Sequence, residues 1–391
     1  MNISFNSSLV GEQRVLKIFR KLLPEISEMQ RVVREGGFED ARASLNLPLT
    51  RRWANESQRL AKESAIANAS NLLVIGIGGS NLGTIAVQQA VLGKNYNLTA
   101  RRKVFYLDTV DPDYTASTLE FVKSELKRGK KAVVNVISKS GSTTETISLF
   151  NVVLSQLKPY DSELEKMIVV TTNRDSALWN YAMKKGLRAL EIPKMVGGRY
   201  SVLSNVGLFP LAFLGVNVRA LLAGAREMVE RAVSKNQRFN LPAKLAAVQY
   251  AHFLSGKMIV NLFLFGNDFE SVGKWYRQLV GESLGKEFNL VGKRVETGLT
   301  PIVSVGTTDL HSVGQLYLGG PNDKFSIFVK TNKWRSKLRV KKQAEFEKLV
   351  RDIGGKSLGE IMDAVFDGVL RTYAKRKRPF VRVELDGKTE R

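Results

Sequence analysis

The sequence predicts an α/β protein made of two doubly wound sandwich domains with mainly parallel sheets. Three observations carry that expectation. Short, largely apolar runs such as 72–75 and 132–137 alternate with stretches of helical periodicity, the pattern of parallel strands covered by helices on both faces. The first run opens directly into Gly76, Gly78, Gly79, Ser80 and Gly83 and then a helix, a strand–turn–helix junction that leaves unpaired N–H groups at the helix start. A length of 391 residues suffices for two complete cores.

The elements follow in order. Residues 1–45 read as an N-terminal helical arm, with Val15, Ile18, Phe19, Leu22 and Leu23 on one face. A second amphipathic helix, 53–67, leads into the glycine strand. A first domain over 46–195 then alternates strands at 72–75, 103–107, 132–137, 167–171 and 189–192 with helices at 84–92, 113–126, 143–157 and 176–185. A second domain, 196–391, repeats the style. Its helices are expected at 204–214, 218–233, 242–254, 269–281, 341–352 and 357–373, with another from about Asp309. Its strands are expected at 258–265, 300–305, 325–329 and 379–385.

Composition bounds the function. Hydrophobic content of 43% and charged content of 25% are ordinary for a globular chain. The absence of cysteine excludes disulfides, thiolate metal sites and cysteine nucleophiles. It fits a reducing compartment, and with no basic-then-apolar leader the expected location is the cytoplasm. No apolar run reaches membrane-spanning length. Sixty Lys and Arg against 37 Asp and Glu give a net charge of +23, a field that attracts small anions. With no stripe of bases and stacking aromatics, the expectation is a solvated basic surface, with no specific nucleic-acid partner and no membrane partner.

Two stretches point to a phosphate. The 76–83 turn is neither a P-loop nor a dinucleotide fingerprint, because it lacks Gly-Lys-Ser/Thr and its last glycine falls two places late. Read alone, it is equally a tight turn without a ligand. The run Ser138-Lys139-Ser140-Gly141-Ser142-Thr143-Thr144-Glu145-Thr146 offers six hydroxyls and an ammonium at a strand end. A helix cap needs one such hydroxyl; six beside a lysine exceed that need and match anion binding. Ligands of doubly wound sheets sit at the carboxyl ends of strands, so Gly79, Ser80, Ser138, Lys139, Ser140 and Thr143 are the candidate phosphate cradle.

Four further residues are candidates for chemistry. Arg199, in Gly197-Gly198-Arg199-Tyr200-Ser201, suits a cation that meets a developing oxyanion; read alone, it is a surface arginine on a linking turn. Gln278 and Glu282 stand four apart on one helix face. Apolar neighbours there would raise the pKa of Glu282 toward that of a working base; read alone, it is a surface glutamate. His311 follows a glycine turn at a strand end and is an acid/base candidate or a plain surface histidine. The other histidine, His252, lies in a helical pattern and reads as structural. No His, Asp and Glu grouping has metal spacing, so no metal is expected.

Taken together, IGIGGSNLG, SKSGSTTET, GGRYS, QLVGESLGK and GTTDLHSVGQL, in that order over about 70–320, resemble the glucose-6-phosphate isomerase family. The resemblance implies two sugar-isomerase (SIS) domains and a homodimer. It also implies cofactor-free, metal-free interconversion of glucose 6-phosphate and fructose 6-phosphate through a cis-enediol, a step of glycolysis and gluconeogenesis. It implies that Ser80, Ser138, Lys139, Ser140 and Thr143 hold the phosphate, with Gly79 lining the turn. Glu282 would move the proton between C1 and C2, Arg199 would stabilise the intermediate, Gln278 would position substrate or water, and His311 would assist ring opening from the neighbouring subunit. Members of the family continue past a segment like 378–385 into a Gln-x-Gly-Val-Glu-x-x-Lys stretch whose lysine helps open the ring. No such stretch occurs before Arg391, and residues 383–388 match it only superficially. The ring-opening role would then fall to Lys388 or another lysine. Alternative readings are a sugar-phosphate-binding SIS protein with weak or no turnover, or an isomerase of a related hexose phosphate such as mannose 6-phosphate.

Overall fold

The computed structural model describes residues 1–390. The chain opens with a short strand, β1 (Asn2–Ser4), and the long helix Glu12–Glu35. Five parallel strands then form the first sheet: β2 (Asn71–Ile75), β3 (Lys103–Leu107), β4 (Ala132–Ile137), β5 (Ile168–Thr172) and β6 (Arg188–Glu191), in the order β3-β2-β4-β5-β6. The chain places β3 on one side of β2 and then crosses to lay β4 on the other. The carboxyl ends of β2 and β4 therefore flank a topological switch point, where doubly wound sheets leave a crevice.

Alternation along these strands sends side chains to two helical layers. Leu73, Ile75, Val134 and Val136 pack with Leu119, Val122, Leu149 and Val153 from helices Pro112–Lys127 and Thr144–Leu157. Leu72, Val74, Val133 and Val169 face the other way, onto Val206, Phe209 and Phe213 of helix Asn205–Phe213. That second layer moves a domain boundary. The structure has two compact units, one built mainly from Pro24–Lys235 and the other from Met1–Leu23 and Asn236–Thr389. The division thus falls near 235, not at 195, because residues 205–213 supply the apolar cover for the first sheet. It also falls within the long helix, at Pro24, so residues 1–45 are shared between the two units and do not form a separate arm.

The second unit repeats the winding. Its strands are β7 (Ile259–Phe265), β8 (Lys286–Phe288), β9 (Arg294–Thr297), β10 (Thr300–Gly306), β11 (Lys324–Thr331) and β12 (Phe380–Leu385). The main sheet runs β1-β12-β11-β7-β10, with β10 and β11 parallel on either side of β7, β12 parallel to β11, and β1 antiparallel at the edge. The hairpin of β8 and β9 stands apart, exposed along nearly its whole length. Neither β1 nor this hairpin is expected from apolar patterning. The helix expected over 341–352 shortens to Ala344–Leu349.

The core of the second unit is aromatic. Phe328 is fully buried and lies within ring-contact distance of Phe263, Phe265, Phe366, Tyr373 and Phe380, with centroids 4.9–6.3 Å apart and most pairs edge-to-face. Phe328→Ala empties the centre of that cluster and is expected to cost about 3–5 kcal/mol, read as a shift of the denaturant midpoint at constant slope.

Candidate active site

The first unit builds a cradle from two strand tips. β2 and β4 run in register from Asn71 opposite Ala132 to Ile75 opposite Val136, so the glycine turn and the hydroxyl run leave the sheet side by side. Gly76 closes the junction. A Cβ placed there would lie 2.8 Å from the Cβ of Ser80 and 3.0 Å from the carbonyl oxygen of Ile137, so no larger residue fits unless the tips part. Gly79 is tighter still: a Cβ would come within 2.2 Å of the Gly198 carbonyl carbon and 2.5 Å of the Arg199 nitrogen. The Gly198–Leu203 turn is thereby held against the β2 tip, and Ser201 Oγ donates to the carbonyls of Gly79 (3.3 Å) and Gly198 (2.7 Å). Arg199, with its guanidinium over the Tyr200 ring at 4.6 Å, is carried to the same place. The structure thus brings Gly79, Ser80 and Arg199 together in one unit.

The second half of the cradle folds on Ser138. This residue is buried; its Oγ accepts from the Gly141 N–H at 3.1 Å and pairs with Thr143 Oγ1 at 2.9 Å. Thr172 Oγ1 donates to its carbonyl at 2.5 Å. Ser140 Oγ lies 3.4 Å from Thr143 Oγ1 and accepts from Ser142 N. Gly141 takes a φ of +72° and packs against Ser176, a conformation that other residues adopt only with strain.

These hydroxyls do not cap the helix that follows. Thr143 stands at the N-cap of Thr144–Leu157 without a side-chain cap hydrogen bond, and Asn81 at the N-cap of Leu82–Leu92 likewise makes none; its amide instead donates to the Gly76 carbonyl at 2.8 Å. Capping was the plain alternative to anion binding for this run, and the geometry removes it. Two helices of 14 and 11 residues begin at the adjacent tips, each offering unpaired N–H groups and the positive end of its dipole. Lys139 is half-buried beside them, and burial holds its ammonium pKa below the ordinary lysine value. An oxyanion at the tips would offset that cost.

The other candidates lie in the second unit. Helix Glu270–Leu284 starts beyond the tip of β7 and packs along β10 through Gly273, where a Cβ would meet Val303 Cγ1 at 2.3 Å. Glu282 is exposed in its last turn, so the apolar enclosure expected for it is not provided by its own unit. Gln278 Nε2 donates to Glu282 Oε1 at 2.8 Å, as their spacing implies. The helix ends beside Gly298, just before β10 begins: a Cβ on Gly298 would sit 3.2 Å from Gly285 Cα. His311 is exposed on the short helix Thr308–Ser312, just after β10 ends. Asp309 fixes that turn by accepting from Val305 N and Ser312 Oγ, both at 2.7 Å. Glu282 and His311 therefore mark opposite ends of one seven-residue strand, on the order of 20 Å apart at about 3.3 Å per residue.

Two remaining residues are structural. His252 is buried, stacks on Phe325 at 4.8 Å and hydrogen-bonds through Nε2 to the Ser8 carbonyl at 2.7 Å. Lys388 is not held out toward solvent: its side chain is 7% exposed, its Nζ donates to Asp268 at 2.7 Å, and it lies over the Phe269 and Trp334 rings. The pair fixes the turn from β7 into the Glu282 helix. Nothing in the sequence marks Asp268 as its partner, because 120 residues separate them.

Comparison with known proteins identifies the family. The phosphoglucose isomerase family model matches residues 58–350. The chain belongs to the phosphoglucose isomerase family. It is 37% identical over 315 residues to a glucose-6-phosphate isomerase of Carboxydothermus hydrogenoformans, covering 78% of this chain and 67% of that relative. It is 33% identical to one from Rubrobacter xylanophilus over 93% and 82% of the two chains. Among solved structures, a hypothetical protein from Thermus thermophilus superposes with a TM-score of 0.85 at 27% identity, covering 100% of this chain and 89% of that one. A glucose-6-phosphate isomerase from Chlamydia trachomatis shares the fold, with a TM-score of 0.81 at 19% identity over 99% and 80%.

Affinity for inorganic phosphate, titrated calorimetrically, is expected to fall as pH rises toward, but still below, the ordinary lysine pKa of about 10.4, because Lys139 sheds its proton early. Lys139→Met is expected to bind more weakly throughout and to flatten that part of the profile.

Proposed function

We propose that this chain is a glucose-6-phosphate isomerase, interconverting glucose 6-phosphate and fructose 6-phosphate by proton transfer through a cis-enediol. The observation that carries the reading is the cradle: two helix starts without side-chain caps, a ring of hydroxyls and one half-buried lysine converge at the switch point of a doubly wound sheet. Its chemistry suits a dianionic phosphate monoester. Ser80, Ser138, Lys139, Ser140 and Thr143 hold that group, with Gly79 giving the backbone close approach. Arg199, locked to the Gly79 turn, supplies the cation that a developing enediolate needs.

The remaining roles are proposed from the resemblance of these motifs to the family's. Glu282 takes the proton from one of the two adjacent carbons and returns it to the other, and Gln278, already bonded to that carboxylate, orients it. His311 assists ring opening. Glu282 and His311 lie at opposite ends of β10, so a single copy does not bring both to one sugar. A homodimer in which each copy lends its His311 to the other resolves this, as closed two-fold symmetry allows. The fit of Lys388 between Asp268 and two rings favours another group for ring opening. It also keeps a second reading in view, a sugar-phosphate-binding protein with slow turnover.

In an assay that couples fructose 6-phosphate formation to a second enzyme, Glu282→Gln is expected to lower kcat by about 10²–10⁴ while sugar-phosphate binding and the thermal midpoint hold. Activity unchanged in that variant removes Glu282 from the chemistry. Tight binding without turnover in the parent chain selects the second reading, and faster turnover of mannose 6-phosphate selects a related isomerase. A complementation test reads the shared site: mixing Glu282→Gln with His311→Ala subunits is expected to restore about a quarter of full activity, since half of randomly mixed dimers carry one intact site. No restoration on mixing places both residues on the same copy's substrate.

A further inference from the structure

The segment between β11 and helix Leu358–Lys375 forms a surface lobe anchored by Trp334 and Arg335 beside Lys388, and its surface has a composition that the isomerase reading does not use. Residues 333–357 carry nine basic against three acidic side chains. Only Arg335 and Arg339 of the nine are in ion pairs within 4.0 Å among the described residues, with Asp268 and Glu360. Of the three acids, Glu347 is turned inward, its carboxylate accepting from Asp352 N and Gly354 N.

The same lobe exposes apolar side chains. Leu349 is 78% and Leu338 67% exposed, and Phe346, Val350 and Leu358 are each more than half exposed. They are not on a loose end. Leu338 and Leu358 are joined by a backbone bond at 2.9 Å beside the Arg339–Ser357 bridge. Phe346 and Leu349 stand at i and i+3 on the short helix Ala344–Leu349, which puts them on one face, and Val350 follows directly as its extended C-cap. Glu347 ties that turn back to the ladder. Exposed apolar groups among unpaired cations are costly in water unless something anionic and apolar meets them.

We propose that this lobe docks the protein on the surface of an anionic lipid bilayer, with Lys341, Lys342, Lys348 and Arg351 at the headgroups and Phe346, Leu349 and Val350 in the outer acyl region. Charge complementarity selects an anionic partner, and clusters of four to eight cations on an amphipathic element bind such lipids. The aliphatic character of most of the exposed side chains favours a bilayer over a nucleic acid, whose bases stack on aromatic rings and not on Leu or Val. The contact is peripheral, since no helix among the described residues is long and apolar enough to cross a membrane. It revises, for this lobe alone, the expectation from the sequence that no membrane takes part.

The test sediments the full chain with vesicles of phosphatidylcholine alone and of phosphatidylcholine mixed with phosphatidylglycerol. The chain is expected to pellet only with the mixed vesicles at low salt, and to be released near 1 M salt, where screening acts within about 3 Å. Lys341→Ser with Lys342→Ser is expected to weaken partitioning roughly 25-fold, at about fivefold per cation. Leu349→Ser with Val350→Ser is expected to weaken it as well, and both pairs leave isomerisation and the thermal midpoint in place. No pelleting, or pelleting that survives both pairs, overturns the proposal. It also fails if the apolar pair converts a dimer to a monomer, which makes a second copy the occupant. It fails again if the chain binds RNA more tightly than vesicles and the apolar pair has no effect on that binding.

Discussion

Backbone crowding at Gly76 and Gly79 is the constraint on which the first unit's chemistry depends. At both positions the space a Cβ would need is already taken, by the β4 tip in one case and by the Gly198–Arg199 backbone in the other. Three separate stretches of chain can then meet within van der Waals distance at the end of a sheet. The result is a strand-end surface of N–H groups and hydroxyls with the Arg199 backbone held against it. Electrostatic sites of this kind act through preorganisation: the dipoles are aimed before the anion arrives, so little is lost in turning them. The serine and threonine hydroxyls bond to one another across the loop and leave the helix starts open. That economy distinguishes the run from an ordinary cap.

Much of this was legible in the sequence. Short, largely apolar runs between glycines and polar turns read as buried parallel strands, and β2, β4, β5 and β7 fall where those runs predict. The switch point follows once the strands are ordered, and it is the ordering, not composition, that puts Ser80 beside Ser138. Other features gave no signal. The hairpin of β8 and β9 buries almost nothing, so no hydrophobic period marks it. β1 is three residues long and gains its place by pairing with β12, some 380 residues away. The unit boundary misled because helix Asn205–Phe213 is apolar on all sides; only the structure reveals that one side covers Leu72 and Val74. The exposure of Glu282 was hidden for a related reason. Of its apolar neighbours in sequence Val280 is buried but Leu284 is exposed, and the carboxylate at the last turn is left outside.

The two units share a winding but finish their strand tips differently. In the first, the tips of the strands on either side of the switch point are open and polar. In the second, the corresponding tip of β7 is closed by Lys388, Asp268 and the flanking rings, and serves to anchor the helix that bears Gln278 and Glu282. Lys388 is held in that anchor, its ammonium paired with Asp268 and its side chain nearly buried. Glu282 and His311 lie at opposite ends of β10, and two-fold assembly is the proposed means by which both would reach one substrate.

The measurement that bears most directly on the central claim is a crystal structure with a sugar-acid phosphate. Such an acid imitates the charge of the enediolate and should bind more tightly than substrate. Its phosphoryl oxygens are expected among Ser80, Ser138, Ser140 and Thr143, with Lys139 turned toward them and the carboxylate end approached by Arg199 and Glu282. A phosphoryl group bound away from the β2 and β4 tips, or a bound sugar acid with Glu282 still facing bulk solvent, would contradict it.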